Sequence, residues 1–201
     1  MDTDMDTDVV LASGSPRRRE LLTALGWNFR VIAPQIDETP RPSEAPEALC
    51  VRLAAAKSGS VAVGEENALV IAADTVVVVD GDVLGKPRDV TESLRMILRL
   101  QGRTHQVLTG LSLRWRGRAL NAAERTRVTF RPLDEMAARA YVVTGEGIDK
   151  AGAYAIQGKG SLLVSSIEGD YFNVVGLPLC RLGVMAEELE LTLPRLWGTE
   201  L

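Results

Sequence analysis

The sequence has one histidine, two cysteines, no excess of basic residues and no long uninterrupted apolar run, and each shortage excludes a class of protein. One imidazole and two thiols cannot fill a four-ligand structural zinc site, and Cys50 and Cys180 stand apart with no CxxC spacing. A disulfide framework is excluded as well. Lys plus Arg number 23 against 27 Asp plus Glu, a formal net charge of −4. That balance argues against stable nucleic-acid binding through a broadly basic surface, so any phosphate must be held by a local cluster. The longest apolar stretch, Ala68 to Val79, is broken by Asp74 and Thr75. It is well short of the roughly 18 residues that a membrane span needs. The first residues are acidic and lack the basic-then-apolar order of a secretory leader, so the expected location is cytoplasmic, with no membrane partner.

The composition is otherwise that of a folded protein: 201 residues, 46% hydrophobic and 25% charged. This length supports one domain with a sizeable core, or two small lobes sharing one. Residues 1–8 repeat Met-Asp-Thr-Asp and are expected as a mobile acidic tail, with a single domain over 9–201. A strand at Val9 to Ala12 leads through the small-residue loop Ser13-Gly14-Ser15 into a helix opened by Pro16 and stopped at Gly26. Helices are expected from about Ser43 to Lys57, Thr91 to Leu100, Asp134 to Val143 and Pro178 to Leu191. Strands are expected at Phe29 to Ile32, Ala68 to Val79, Leu162 to Ile167 and Tyr171 to Val175, with a turn at Asp80-Gly81 and a long hairpin around Gly117. Strands and helices interleave while hairpins interrupt them, which predicts an α/β fold with a mixed sheet.

The most informative segment is Ser13-Gly14-Ser15-Pro16-Arg17-Arg18-Arg19. Arginines in the first turn of a helix oppose its dipole, each by roughly 0.3–1 kcal/mol at an exposed site. An anion held by the free backbone N–H groups and the guanidinium forks would resolve the conflict. The segment lacks the GxxxxGK[ST] pattern, so it is not a Walker A loop. Asp74 interrupts an apolar strand, where a carboxylate is costly unless paired, hydrogen-bonded or metal-bound. It is a candidate general base or metal ligand, or else a strand-end residue open to water. Asp37-Glu38 adds two carboxylates of the kind that hold Mg²⁺, though such a pair is also common on a solvated loop. Lys57 and Lys86 can each offer a point charge to phosphate, or lie on the surface. The run from Asp149 to Gly158 has small residues that let backbone approach a ligand, and Gln157 has a donor and an acceptor for a base edge. His105 is read as a locally packed residue, with no Ser-His-Asp or Cys-His arrangement around it.

The order of these segments resembles the Maf family of nucleoside triphosphate pyrophosphatases. The resemblance lies in Leu11-Ala12-Ser13-Gly14-Ser15-Pro16-Arg17-Arg18, Ile36-Asp37-Glu38, Ala73-Asp74-Thr75-Val76, Gly85-Lys86-Pro87, Asp149 to Tyr154 with Ile156-Gln157-Gly158, and Gly176-Leu177-Pro178-Leu179. It implies an elongated mixed sheet flanked by helices with a cleft between two lobes, similar to inosine triphosphate pyrophosphatases. It also implies cleavage of a nucleoside triphosphate between its α and β phosphates with a divalent metal, Mg²⁺ or Mn²⁺. On this resemblance Asp74 is the proton acceptor, Arg18, Thr75 and Gln157 govern substrate choice, Ser13, Arg17, Lys57 and Lys86 contact phosphates, and Glu38 and Asp74 hold the metal. The motifs look like the branch acting on dTTP and UTP rather than the one acting on 7-methyl-GTP. Ala155 departs from the pattern, standing where a glycine is common, which is expected to stiffen the loop.

Two other readings compete. Family members have also been discussed as septum-formation inhibitors, so one is a nucleotide-binding regulator that acts through a partner. The other is a metal-dependent phosphatase of another fold, releasing orthophosphate. A homodimer is left open.

Overall fold

A computed structural model of the protein describes residues 7–199. Seven strands, β1 (Val9–Leu11), β2 (Arg30–Val31), β3 (Leu69–Val79), β4 (Asp82–Leu84), β5 (Thr104–Trp115), β6 (Arg118–Phe130) and β7 (Val164–Glu168), are hydrogen-bonded in the order β2-β1-β3-β5-β6-β7, with β4 paired to β3. β1 runs parallel to β2 and β3, whereas β4 on β3 and β7 on β6 are antiparallel, so the sheet is mixed as expected. The helices are α1 (Pro16–Ala24), α2 (Pro46–Ala62), α3 (Val90–Leu100), α4 (Glu135–Val143), α5 (Tyr171–Val175), α6 (Leu179–Glu188) and α7 (Leu193–Leu196). Among the described residues no helix is long and apolar enough to cross a membrane.

The chain divides into two compact units. The first takes the chain up to Asp74, Thr109–Glu124 and the chain from Gly176 on; the second takes Thr75–Leu108 and Arg125–Val175. In the first unit β1 and the opening half of β3 are buried on both faces. Val10, Ala12, Val70 and Ala72 meet Val61 of α2 on one side, while Val9, Leu11, Leu69 and Ile71 are equally buried on the other. Burial on both faces is why these strands read as continuous apolar runs rather than alternating ones. α2 lies close against β5 because Gly110 has no side chain: a Cβ there would come within 2.2 Å of the Cys50 carbonyl oxygen. Of the tail expected over residues 1–8, the first six lie outside the described residues. Thr7 accepts a hydrogen bond from Arg195, and Asp8 pairs with Arg30 and gives its carbonyl to the Leu69 N–H.

Two tight turns, Asp80-Gly81 in the second unit and Arg116-Gly117 in the first, take the mirror-image geometry that suits a two-residue hairpin. Asp80 and Gly81 have φ of 54° and 84°. The turn that joins β5 to β6 has Arg116 and Gly117 at 46° and 76°. One expectation fails in the second unit: Tyr171 to Val175 is not a strand but α5. Gly169, at φ 120°, breaks the preceding strand, and the Asp170 carboxylate accepts the Phe172 N–H at 2.7 Å. The short helix then buries Asn173, whose amide donates to the Val107 carbonyl and the Thr126 hydroxyl. The pattern Tyr-Phe-Asn-Val-Val has β-forming residues, but the capping carboxylate and the buried amide decide its conformation.

Smaller boundary differences have similar causes. α2 starts at Pro46 rather than Ser43, because Ser43 is held at φ 57°, and it continues beyond Lys57 to bury Ser58 and Val61. The strand expected over Phe29 to Ile32 is confined to Arg30–Val31, and β7 covers Val164–Glu168 rather than Leu162 to Ile167. The helix expected from Pro178 to Leu191 is α6, which ends at Glu188 with Glu190 at φ 66° beyond it, and α7 is a further short helix.

His105 is buried against the edges of Phe130 and Tyr154, and its Nε2 lies 2.8 Å from the Tyr154 hydroxyl. Burial lowers its pKa to about 4. The unfolded chain binds a proton at about pH 6.5 and the folded chain does not, so this residue costs no stability above that pH. Stability is lost as pH falls from about 6.5 to 4, up to about 3 kcal/mol from this group. Urea denaturation of the wild type and His105→Gln across pH 8 to 4.5 should show the gap between the two narrowing with acid. A constant gap would remove His105 as the source.

Candidate active site

The first unit gathers six of the sequence-predicted residues. β1 delivers the chain to Ser13, which is buried, and the Ser13 hydroxyl accepts the Ser15 N–H at 3.2 Å and the Arg18 guanidinium at 3.1 Å. Ser15, as N-cap of α1, makes no side-chain capping bond, and no acidic residue stands in the first turn. The positive end of α1 therefore has Arg17 beside it and no carboxylate in its first turn to neutralise it. Arg17 and Arg18 are half-buried and Arg19 is exposed. Arg18 turns inward, donating from Nε to the Gly176 carbonyl at 2.7 Å. Burial lowers its pKa to about 10, against the opposing pull of the Asp74 charge, with Arg17 lowering it and Glu38 raising it further.

Asp74, at the boundary where β3 leaves this unit, is 8% exposed. The Lys57 ammonium meets it at 2.6 Å and reaches Glu38 at 2.8 Å. Lys57 is on the buried side of α2, in line with Cys50, Leu53, Ala54 and Val61, which is why a lysine can be carried to the sheet from within a helix. Its aliphatic stem lies in the core and its charge emerges at the two carboxylates. An ammonium has three N–H donors, and two are used here, so a third remains for a phosphate oxygen. The Cys50 thiol is pushed up to about 12 by burial and by Asp74, which leaves it a packed and unreactive group.

The loop that carries Glu38 is tied down on both sides. The Asp37 carboxylate accepts the Thr39 N–H at 2.9 Å, and its pKa is lowered first by the Thr39 hydroxyl and then by this backbone bond. Arg52 of α2 forks onto Glu44 at 2.6 and 2.7 Å and also reaches the Thr39 carbonyl. Of the Asp37-Glu38 pair, then, Asp37 shapes the turn and Glu38 faces the lysine.

Thr75, Lys86 and Gln157 belong to the second unit. Thr75 is half-buried, and Lys86 and Gln157 are exposed. The segment before Lys86 is fastened to the Gly-rich run: the Gly85 carbonyl accepts the Gly152 N–H at 3.1 Å. Gly152 sits at φ 70°, where an added Cβ would come within 3.0 Å of Val77. Ala155, the departure from the family pattern, is absent from the positive-φ positions, so the turn accepts alanine without strain.

Two contributors have no role assigned by the sequence motifs. The Gly176-Leu177-Pro178 segment offers a carbonyl to Arg18 across 158 residues of chain, and only the Gly176 φ of 122° explains its glycine. Glu146, just before the Gly-rich run, binds two backbone N–H groups of that run. No local pattern marks it.

Arginine, lysine and paired carboxylates in one unit are the ingredients of phosphate chemistry, and comparison with known proteins agrees. Residues 8–189 match the family described as Maf-like protein. A protein of Myxococcus xanthus named dTTP/UTP pyrophosphatase is 51% identical over 188 residues, 94% of this chain and 95% of its own. Proteins of the same name from Moorella thermoacetica and Symbiobacterium thermophilum are 52% and 51% identical, covering 90% and 86% of this chain and 92% and 89% of theirs. With the match running from Asp8 through α6 and across both units, this chain belongs to the Maf-like protein family.

Proposed function

We propose that this protein hydrolyses nucleoside triphosphates, dTTP and UTP foremost, between the α and β phosphates to give the nucleoside monophosphate and pyrophosphate. The observation that carries the proposal is the buried Asp74 held at 2.6 Å by Lys57, with Glu38 on the same ammonium and Arg18 within reach of the Asp74 charge. The names of the relatives supply the substrates. A purely binding protein would have no use for a desolvated carboxylate beside a phosphate-type cluster.

Each residue then has a physical task. Ser13, Arg17 and the N–H groups of α1 take phosphate oxygens, and Lys86 is a further phosphate contact. Lys57 holds Asp74 in one orientation and turns its remaining donor to the triphosphate. Asp74 accepts the proton of the attacking water as the new P–O bond forms and the bridging oxygen departs. Arg18, anchored at Gly176 and Ser13, Thr75 and Gln157 discriminate among nucleotides.

The donor set also suits a divalent ion. Among the described residues no three carboxylate, imidazole or thiol groups converge, but Glu38 and Asp74 both face the Lys57 ammonium. Mg²⁺ ordinarily takes one or two carboxylates and completes its shell with water and phosphate oxygens. Bound there, Mg²⁺ or Mn²⁺ would supply Lewis-acid neutralisation of the triphosphate.

The test is a product analysis with dTTP, UTP, CTP, ATP, GTP and 7-methyl-GTP in Mg²⁺ or Mn²⁺. dTTP and UTP should exceed the others by at least about tenfold in kcat/KM, because a site that hydrogen-bonds a base edge rejects a mismatched edge strongly. Pyrophosphate should be the co-product. Orthophosphate release would overturn the reaction, and 7-methyl-GTP as best substrate would overturn the base assignment. Nucleotide binding without turnover would favour the regulatory reading.

A further inference from the structure

The turn that presents Gln157 is held by one side chain that no motif includes. Glu146 follows α4 in the second unit, and its two carboxylate oxygens accept the N–H groups of Lys159 at 2.9 Å and Gly160 at 2.8 Å. The approach is close enough to dictate sequence. A Cβ on Gly158 would fall 2.3 Å from Glu146 Oε1, and one on Gly160 would fall 2.0 Å from the Ala155 carbonyl oxygen and 3.0 Å from the Tyr141 hydroxyl. That hydroxyl accepts the Ala155 N–H at 3.1 Å and is also hydrogen-bonded to Glu146. The Glu146 main chain is pinned in turn, with Lys150 Nζ donating to its carbonyl at 2.6 Å. Burial would raise the carboxyl pKa. The N–H groups of Lys159 and Gly160, the Tyr141 hydroxyl and the Lys150 charge outweigh it, so the group is held below the usual range and stays an acceptor only.

We infer that Glu146 is the positioning residue for Gln157: by clamping the backbone two and three residues after Gln157 and, through Tyr141, two residues before it, Glu146 fixes the angle at which the exposed Gln157 amide meets a nucleobase. The inference rests on the proposal that Gln157 reads the base. Gln157 itself is exposed, so its presentation depends on the backbone that carries it. A carboxylate accepting two N–H groups cannot be replaced by an amide without turning one –NH₂ against a backbone donor, which opens the clamp at that point. Pyrimidine discrimination should therefore respond to Glu146 although it touches no substrate.

The experiment compares Glu146→Gln, Glu146→Asp, Gln157→Ala and the double variant Glu146→Gln/Gln157→Ala in the full chain. Glu146→Gln should lower the dTTP over CTP ratio of kcat/KM by about tenfold, mainly through the KM for dTTP, with kcat within about threefold of wild type. Glu146→Asp, which keeps the charge but shortens the reach, should recover part of the ratio and provides a second reading if Glu146→Gln folds poorly. The double variant should discriminate no worse than Gln157→Ala alone, because the two act as one device. Hydrogen exchange across Gln157 to Gly160 should be faster in Glu146→Gln.

Independent, additive losses in the double variant, or an unchanged ratio in folded Glu146→Gln, would overturn the inference. An unchanged ratio in Gln157→Ala, with exchange still faster in Glu146→Gln, would instead locate the failure in the base-reading role of Gln157 and overturn the specificity role of Glu146 with it.

Discussion

Asp74→Asn should remain folded and bind nucleotide while its kcat falls by at least about a hundredfold, the lower end of what general-base contributions supply. Asparagine keeps the size of the side chain and an oxygen to accept from Lys57, but it cannot take the proton of an attacking water. The apo protein should tolerate the change. Lys57 retains Glu38 at 2.8 Å as a partner, and a charge that is 8% exposed is removed rather than stranded. Single-turnover kinetics beside nucleotide binding by calorimetry separate the two effects. Pyrophosphate release near the wild-type rate by a folded Asp74→Asn protein would take Asp74 out of the chemistry and leave Glu38 as the next carboxylate to examine.

Lys57→Met should be the more damaging substitution for the fold. Methionine fills the space of the stem, yet it takes from Asp74 its direct ion-pair partner, leaving only the more distant Arg18 charge, in a site where the two side chains are only 10% and 12% exposed. Breaking such a pair from one side costs about 3 kcal/mol or more. Adding Asp74→Asn to Lys57→Met should restore most of that loss, since the stranded charge is then gone. Glu38 contributes little to this sum because its side chain is 59% exposed and well screened. Activity should fall by about a hundredfold or more, the usual effect of removing one preorganised electrostatic donor. Urea denaturation of the two single variants and the double variant measures the coupling. Simple additivity would mean that Lys57 and Asp74 do not depend on each other, contrary to their 2.6 Å contact.

Much of the site was legible locally because its residues break local rules. Three arginines at the positive end of α1 and a carboxylate inside an apolar strand are conflicts that a stretch of ten residues already displays. The hairpin turns were legible for the same reason, since Asp80-Gly81 and Gly117 tolerate the positive φ that such turns need. Where the reading failed, the deciding contact came from far along the chain. Tyr171 to Val175 has β-forming residues, but Asn173 finds its partners on β5 and β6, at Val107 and Thr126. Apart from the family resemblance, Lys57 carried no signal that distinguished it from a surface lysine until its helix was placed against β3.

The sequence by itself determined the α/β class, the family resemblance and the residue types available for phosphate and base, because motif order and periodicity are properties of the chain alone. Tertiary structure decided which charges meet. It joined Lys57 to Asp74 and Glu38, assigned Asp37 to its turn, gave Arg18 the Gly176 carbonyl and set Glu146 behind the Gln157 turn. Coulombic and hydrogen-bond energies depend on distances of a few ångströms and on the exclusion of water, and neither exists until segments separated by as many as 158 residues are brought together.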